Sequence, residues 1–302
     1  MFLRASAEIF PRIHQISLGA SCRYAIVADD GLLTLTDPGA TSHIGALEQR
    51  LKRSGFSLSM VNKVLITHLD ADRVAGIGLL RRLNPALQVF GSSAMHFALK
   101  DIEFVKEIWE QDAVISSWFP QDVGPGLLPF AEFRDALRID KSLVESDTVT
   151  LGAEIALRTI STPGHRSHSL SYLVVPHEFL ITDETFGYYN GRQLAAPGAD
   201  DSLAASIESI NKFKNLEISG IGFSYGGSIT GALVRKHLDM ILQNTQDLID
   251  EVKKAKAAGV PDTEMRAQIR EAFYAPMLRD PCLINSLDKS FEAVWRQSST
   301  IY

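Results

Sequence analysis

The sequence predicts an α/β protein. Short apolar runs of strand length recur along most of the chain, amphipathic helical periods separate them, and four of the runs end in a polar cluster followed by a sharp turn. Taken in order, Ala25-Ile26-Val27-Ala28 and Leu32-Leu33-Thr34-Leu35-Thr36 flank Asp29-Asp30-Gly31, a hairpin signal, and Asp37-Pro38-Gly39 ends the second strand. His43 to Leu51 has helical spacing and is closed by Gly55. Val64-Leu65-Ile66 reads as a buried strand and Val89-Phe90-Gly91 as a short one. Between them Ile77, Leu80 and Leu83 predict a helix over Val74 to Leu83.

Residues 100–140 differ in texture. Phe104, Ile108, Trp109, Trp118 and Phe119 lie among acidic residues, and Gly124-Pro125-Gly126 and Pro129 then break the pattern. This predicts a helix followed by a loop, either a lid over the domain or a plain surface excursion. Strands return at Thr148 to Leu151, Ile155 to Ile160, Ser171 to Val175, Phe179 to Thr182 and Ile218 to Phe223, with a helix over Leu203 to Phe213. Beyond Ala232, the residues Val234, Leu238, Ile241, Thr245, Leu248, Val252 and Ala255 alternate spacings of four and three, the stripe of one long helix. Gly259 and Pro261 stop it, Asp262 can cap a successor, and a last helix fits Ile284 to Trp295. The stripe packs on the domain's own strands or forms a homodimer seam. Residues 1–231 read as one domain, with 100–140 a lid insertion, and 232–302 as a helical extension packed on it.

The 302 residues are 45% apolar and 22% charged with a net charge of -6, ordinary soluble composition that argues against a general nucleic-acid or anionic-membrane binder. Two distant cysteines, Cys22 and Cys282, indicate neither a disulfide framework nor a cysteine zinc cluster. There is no signal-peptide core and no run near the ~18 apolar residues of a membrane span. The expectation is a cytoplasmic protein acting on a small molecule.

The polar clusters are the candidate site. They are His68-Leu69-Asp70-Ala71-Asp72-Arg73, Thr162-Pro163-Gly164-His165, Thr182-Asp183-Glu184-Thr185 and Ser224-Tyr225-Gly226-Gly227. Rigid strand ends are where such sites are built. His68 and His165 with a carboxylate, Asp70 or Asp183, would suit non-haem iron, or zinc with an open position. Singly, each histidine can be a hydrogen-bonded structural residue, and Asp37, Asp70 and Asp183 can each cap a turn.

At this point the chain resembles the metallo-β-lactamase superfamily, from about Pro11 to Gly231, with 100–140 the least matched part. Leu35 to Gly39 resembles the second-strand signature, and Thr67 to Gly76 the His-x-His-x-Asp-His motif. Thr162 to His165 with Ser171-Tyr172 is similar to the third motif, Leu180 to Asp183 to the bridging-aspartate strand, and Tyr225 to Gly231 to the segment of the final histidine. The resemblance implies a four-layer αβ/βα sandwich of two mixed β-sheets, with a C-terminal helical extension. It implies first-site metal ligands His68, Asp70 and His165, with Asp183 as bridge. At the second site Asp72, Arg73 and Tyr225 stand where two further histidines would be needed, which implies that one metal is lost. Arg73 then supplies a fixed positive charge in its place, with a catalytic or a structural role.

The expected function is hydrolysis of an ester, thioester or lactone with one divalent ion (iron, zinc or manganese), Asp72, Arg73 and Tyr225 assisting. A persulfide dioxygenase using a single iron on His68, His165 and Asp183, and a metal-free binding or sensing protein, are the alternatives.

Overall fold

A computed structural model describes residues 1–119, 126–189, 191, 195–196, 198–259, 262–274 and 281–298. Strand β1 (Phe2–Leu3) begins one sheet, and β2 (Ala7–Phe10) begins the other. The latter continues in chain order through β3 (Ile13–Leu18), β4 (Ser21–Val27), β5 (Leu33–Thr36), β6 (Val61–Leu65), β7 (Gln88–Ser92) and β8 (Lys141–Leu143). Strands β2 to β5 pair antiparallel, and β5 to β8 pair parallel. Parallel pairing needs crossovers, which α1 (His43–Arg53), α2 (Ala71–Val74) and α3 (Ile77–Leu83) provide, followed by α4 (Ser93–Ala98), α5 (Ile102–Trp118) and α6 (Phe130–Ala136). Strands covered on both faces must be apolar on both, and Leu33, Leu35, Val64, Leu65 and Val89 are fully buried.

The second sheet is built from β9 (Thr148–Thr150), β10 (Ala156–Ser161), β11 (Leu170–Val175), β12 (Phe179–Ile181), β15 (Gly220–Gly222) and β16 (Ser228–Thr230), in the order β1-β16-β15-β12-β11-β10-β9. A small ribbon of β13 (Tyr188–Tyr189) and β14 (Ala195–Ala196) precedes α7 (Leu203–Lys214). The chain then runs into α8 (Ala232–Ala257), α9 (Asp262–Tyr274) and α10 (Pro281–Gln297). The two sheets face each other across a shared core and are stitched by buried tyrosines. Tyr172 donates to the Ile66 carbonyl at 2.6 Å, and the Tyr24 hydroxyl lies 3.0 Å from the Phe223 carbonyl oxygen. Helices cover both outer faces, so the layers are helix, sheet, sheet, helix, as the sequence predicts.

Three local differences are informative. The pair β2–β3 escapes the sequence reading because its inward positions include polar Gln15 and Ser17, and Pro11-Arg12 interrupts the alternation with Arg12 at φ 70°. The buried Gln15 NH2 donates to the Ala5 carbonyl and the Ser17 hydroxyl, both at 3.0 Å, while Oε1 has no hydrogen-bond partner. The single helix expected over Val74 to Leu83 is two, parted at Gly76, where a Cβ would sit 2.6 Å from Ile44 Cδ1 and the amide donates to Gly39 O at 2.7 Å. In the 100–140 segment a second short helix, α6, follows α5, and Trp109 ties the two by donating to the Leu128 carbonyl at 2.9 Å. Gly124 and Pro125 of the expected break, and Pro261 of the later one, lie outside the described residues. The long stripe is observed on α8. Its first half packs on the second sheet and α7, and Leu248, Ile249 and Val252 pack with apolar side chains of α9 and α10. Among the described residues no helix is long and apolar enough to cross a membrane.

Candidate metal centre

The strand ends of both sheets meet at one rim, and the four polar clusters meet there with them. His68 follows β6, and its imidazole is buried. Thr67 fixes that ring: its hydroxyl donates to Asp37 Oδ2 at 2.6 Å, so it accepts from His68 Nδ1 at 2.9 Å. The Thr67 amide donates to the other Asp37 oxygen at 2.8 Å. This chain of bonds leaves His68 Nε2 as the lone-pair nitrogen facing inward. Burial holds the His68 pKa well below its usual value, so the ring is neutral. Burial also pushes the Asp37 carboxyl up to about 6.

His165 comes from the turn after β10 and meets His68 edge to face, with ring centroids 4.9 Å apart. Its Nδ1 lies 3.3 Å from Asp200 Oδ1, and Asp200 in turn accepts from Ser290 of α10 at 2.7 Å. Burial opposes a charge on His165, but Asp200 and Glu184 outweigh burial and hold its pKa well above the usual value.

Glu184 completes the set. Its Oε2 is 3.3 Å from His68 Nε2 and 3.6 Å from His165 Nε2. All three atoms are buried without a hydrogen-bond partner. Orphaned buried polar atoms are costly, and a divalent cation would satisfy these three, with His165 giving up its Nε2 proton to become a ligand. Asp70 stands beside them, with Oδ2 at 3.9 Å from His68 Nε2 and 3.5 Å from His165 Nε2. Arg166 grips Asp70 bidentately, at 2.7 and 3.0 Å. Burial would raise the Asp70 pKa, but Arg166 reverses this and holds it well below the usual carboxylate range.

The ligand set expected from sequence was His68, Asp70, His165 and Asp183. The first three converge. Asp183 is within reach of His68 and Glu184, but its carboxylate is occupied by Ser169 and by the hydroxyl and amide of Thr185, the latter two at 3.1 Å. It caps the turn that begins at Glu184, and burial pushes its pKa up to about 7. Glu184, one residue later, is the carboxylate between the imidazoles. The only signal for it was that strand β12 ends in two acids rather than one.

The neighbouring position is filled by Arg73. This side chain is fully buried, with Nη2 2.5 Å from Glu184 Oε1 and 3.2 Å from Asp72 Oδ2. Nη1 donates to the Ser21 hydroxyl and the Ser224 carbonyl, both at 3.3 Å. The guanidinium lies 4.3 Å from the Tyr225 ring centroid, and the Tyr225 hydroxyl donates to Asp72 Oδ2 at 2.6 Å. Asp72, Arg73 and Tyr225 are therefore one connected group, and Arg73 reaches the centre only through Glu184 and Asp72. Arg23, unmarked by any motif, is a second fully buried guanidinium bonded to Ser21 and to the Asp72 carbonyl. Around the centre, Asp37, Asp70, Asp72, Asp183, Glu184 and Asp200 face only Arg23, Arg73 and Arg166 as permanent cations among the described residues. The negative excess is of the size a dication largely cancels. His68, His165 and Glu184, with Asp70 alongside, thus fit one divalent metal ion.

Next to Asp70 a chamber of about 20 Å³ is lined also by Asp72 and Tyr225, by Ile115 and Trp118 of α5, and by Asn285 and Lys289 of α10. It shares Gln111, Asn285 and Lys289 with an outer cleft of about 630 Å³.

A sequence model of the metallo-beta-lactamase superfamily matches residues 20–219. The chain is 26% identical over 250 residues to the metallo-beta-lactamase fold-containing protein ST1585 of Sulfurisphaera tokodaii, covering 81% of this chain and 86% of that one. The crystal structure of ST1585, from Sulfolobus tokodaii, superposes with a TM-score of 0.59 at 19% identity, covering 96% and 98% of the two chains. The metallo-beta-lactamase family protein TTHA1429 from Thermus thermophilus superposes with a TM-score of 0.66 at 17% identity, covering 97% and 95%. The Cronobacter sakazakii metallo-beta-lactamase with an HARLDQ motif does so at 0.54 and 15%, covering 98% of each. Sequence and fold agree, and the chain belongs to the metallo-beta-lactamase superfamily.

Proposed function

We propose that this protein is a mononuclear metal-dependent hydrolase of an ester, thioester or lactone. The observation that carries this reading is the convergence of His68 Nε2, His165 Nε2 and Glu184 Oε2, three buried polar atoms without hydrogen-bond partners, beside Asp70, which also lines a chamber large enough for about one water. A divalent cation held by these residues supplies Lewis acidity, making water nucleophilic near neutral pH and polarising a carbonyl oxygen. The chain's own residues do the rest. Asp72 lines the chamber and orients the attacking water, taking its proton as the oxygen–carbon bond forms. The proton then passes to the departing alkoxide or thiolate as the acyl bond breaks. Tyr225 and Arg73 hold Asp72 from behind, by the hydroxyl bond and the ion pair. Thr67 and Asp200 orient the two imidazoles. Trp118 and Ile115 give the chamber an apolar wall.

One feature favours a second reading. Two histidines and one carboxylate on one side of a centre suit non-haem iron, so oxidation of a persulfide is the competing chemistry.

The deciding experiment uses untagged protein supplied with iron, zinc or manganese. About one equivalent of metal, lost in His68→Ala and His165→Ala, supports a retained centre. Absence of metal under all three conditions would sink both readings. Hydrolysis of a thioester, ester and lactone panel, against oxygen uptake with a persulfide donor, then separates them.

A further inference from the structure

We infer that the substrate carries an anionic group, a carboxylate or phosphate, which Lys289 and Arg296 of α10 receive in the outer cleft. This rests on the hydrolase reading and names its substrate class.

Four carboxylates line the cleft: Asp200, Asp201, Asp288 and Glu292. Every one of them faces an arginine. Asp200 and Asp201 lie 3.8 and 3.5 Å from Arg166, which they share with Asp70, and Asp200 also lies 3.3 Å from His165 Nδ1. Asp288 is 2.5 Å from Arg270, and Glu292 is 2.7 Å from Arg266, both arginines on α9. Lys289 and Arg296 line the same cleft, are exposed, and make no ion pair among the described residues. The acids that neighbour Lys289 on its own helix are thus drawn to α9. Among the described residues, the cleft is left with two cations that have no partner and no acid that lacks one.

Position gives the inference its chemistry. Lys289 lines both the small chamber and the outer cleft, so an anion it receives lies only a few bonds from a carbonyl seated over Asp72. Arg296 is seven residues further along the same face of α10, roughly 10 Å away along the helix axis. An acyl arm that leaves the chamber would pass Lys289 and run towards Arg296. Asn285, one turn before Lys289, and Gln111 of α5 line both spaces and offer neutral hydrogen bonds to the same arm. A wholly apolar acyl chain would leave these groups unused.

The test compares matched acyl substrates on the metal-loaded, full-length protein. Glutaryl and pentanoyl thioesters of one thiol have similar length and differ in a terminal carboxylate. Wild type should favour the glutaryl compound in kcat/KM by about five-fold, the scale of one partly exposed ion pair. The preference should shrink with added salt. Lys289→Ala should bring the ratio of the two kcat/KM values close to one, Lys289→Glu should invert it, and Lys289→Arg should keep it. A ratio near one in wild type, or a ratio that Lys289→Glu leaves untouched, overturns the inference. Glutarate binding, measured calorimetrically on metal-free protein, separates this from the underlying reading. If neither thioester is cleaved but glutarate binds and Lys289→Glu abolishes that binding, the hydrolase reading fails and the anion site stands. If thioesters are cleaved but glutarate does not bind, the anion site fails alone. Inorganic phosphate in the same titration tells carboxylate from phosphate selectivity.

Discussion

Two halves of one rim solve the same electrostatic problem in different ways. In the half around His68 and His165, the two Nε2 atoms and Glu184 Oε2 converge without a hydrogen-bond partner among the described residues. In the half around Asp72 and Tyr225, the Arg73 guanidinium and the Tyr225 hydroxyl supply donors to the facing carboxylate oxygens. Glu184 belongs to both: Oε1 meets Arg73, and Oε2 meets the imidazoles. Clustered carboxylates need a counter-charge: Arg73 supplies it directly to Glu184 and Asp72, whereas on the imidazole side Arg166 binds Asp70 and leaves the converging Nε2 and Oε2 atoms unpaired. A guanidinium has donors and no acceptor, so it can neutralise Asp72 and Glu184 but cannot occupy the imidazole side. There the lone pairs require a cation that accepts them.

The largest test of this contrast removes the acceptors. His68→Ala, His165→Ala and Glu184→Gln should each abolish stoichiometric metal binding, measured by elemental analysis after dialysis. Arg73→Lys should retain it. Two equivalents bound to wild type would break the comparison, because the guanidinium half would then also be a metal site.

Next in size is Arg73→Ala. Taking out one partner of a buried pair leaves uncompensated charge, here on Asp72 and Glu184 together, and costs about 3–5 kcal/mol. Urea unfolding in the presence of a chelator should show that loss. A loss below about 1 kcal/mol would mean that the surrounding donors, not the guanidinium, carry the compensation.

Much of this contrast was legible beforehand, and the rest has physical reasons for being hidden. The sandwich and its rim could be read because each motif follows an apolar strand, and a strand end fixes where its polar cluster lands. His68, Asp70, His165, Arg73 and Tyr225 were placed by that logic. Glu184 was not, because Asp183 and Glu184 are adjacent acids at the end of β12. Which of them turns inward depends on the backbone at the turn, where Asp183 becomes the cap. Asp200 and Arg23 carry no spacing signal, since each is brought in from a distant segment by tertiary packing, and Arg166, directly after His165, is marked by no motif. Strands β2 and β3 were hidden for a related reason: the polar residues Gln15 and Ser17 occupy their core positions, and only the three-dimensional hydrogen bonds justify them.

A carboxylate buried without any cation calibrates both halves. Asp112 of α5 is buried, accepts from the Thr41 amide at 2.9 Å, and leaves Oδ2 without a partner. Burial raises its pKa from 3.8 to about 6. The folded pKa lies above the unfolded one, so the folded protein holds this proton more tightly. The ionised group therefore costs stability above pH 6, the cost shrinks as pH falls from about 6 to 3.8, and it is absent below. Asp112→Asn should stabilise the protein by about 3 kcal/mol at pH 7, because displacing a pKa by one is worth roughly 1.4 kcal/mol. The gain should vanish near pH 4 in matched unfolding curves. A gain that does not change with pH would mean that the carboxyl is compensated after all.

The smallest predicted effect separates the halves most cleanly. Thr67 links Asp37 to His68 Nδ1 through its hydroxyl, and nothing among the described residues connects it directly to Arg73. Thr67→Val keeps the shape and removes the acceptor, so the Nδ1–H loses the group that fixes its tautomer. Partners of this kind typically contribute about 10–100-fold to metal affinity, and a loss of about ten-fold is expected here because Glu184 and His165 still define the centre. Thr67→Ser restores the hydroxyl and should restore the affinity. Nitrogen chemical shifts of the His68 ring should move from a single protonated Nδ1 form in wild type to mixed tautomers in Thr67→Val. Equal metal affinity in the two variants would show that the imidazole side is oriented by its packing against His165 rather than by the Asp37–Thr67 chain.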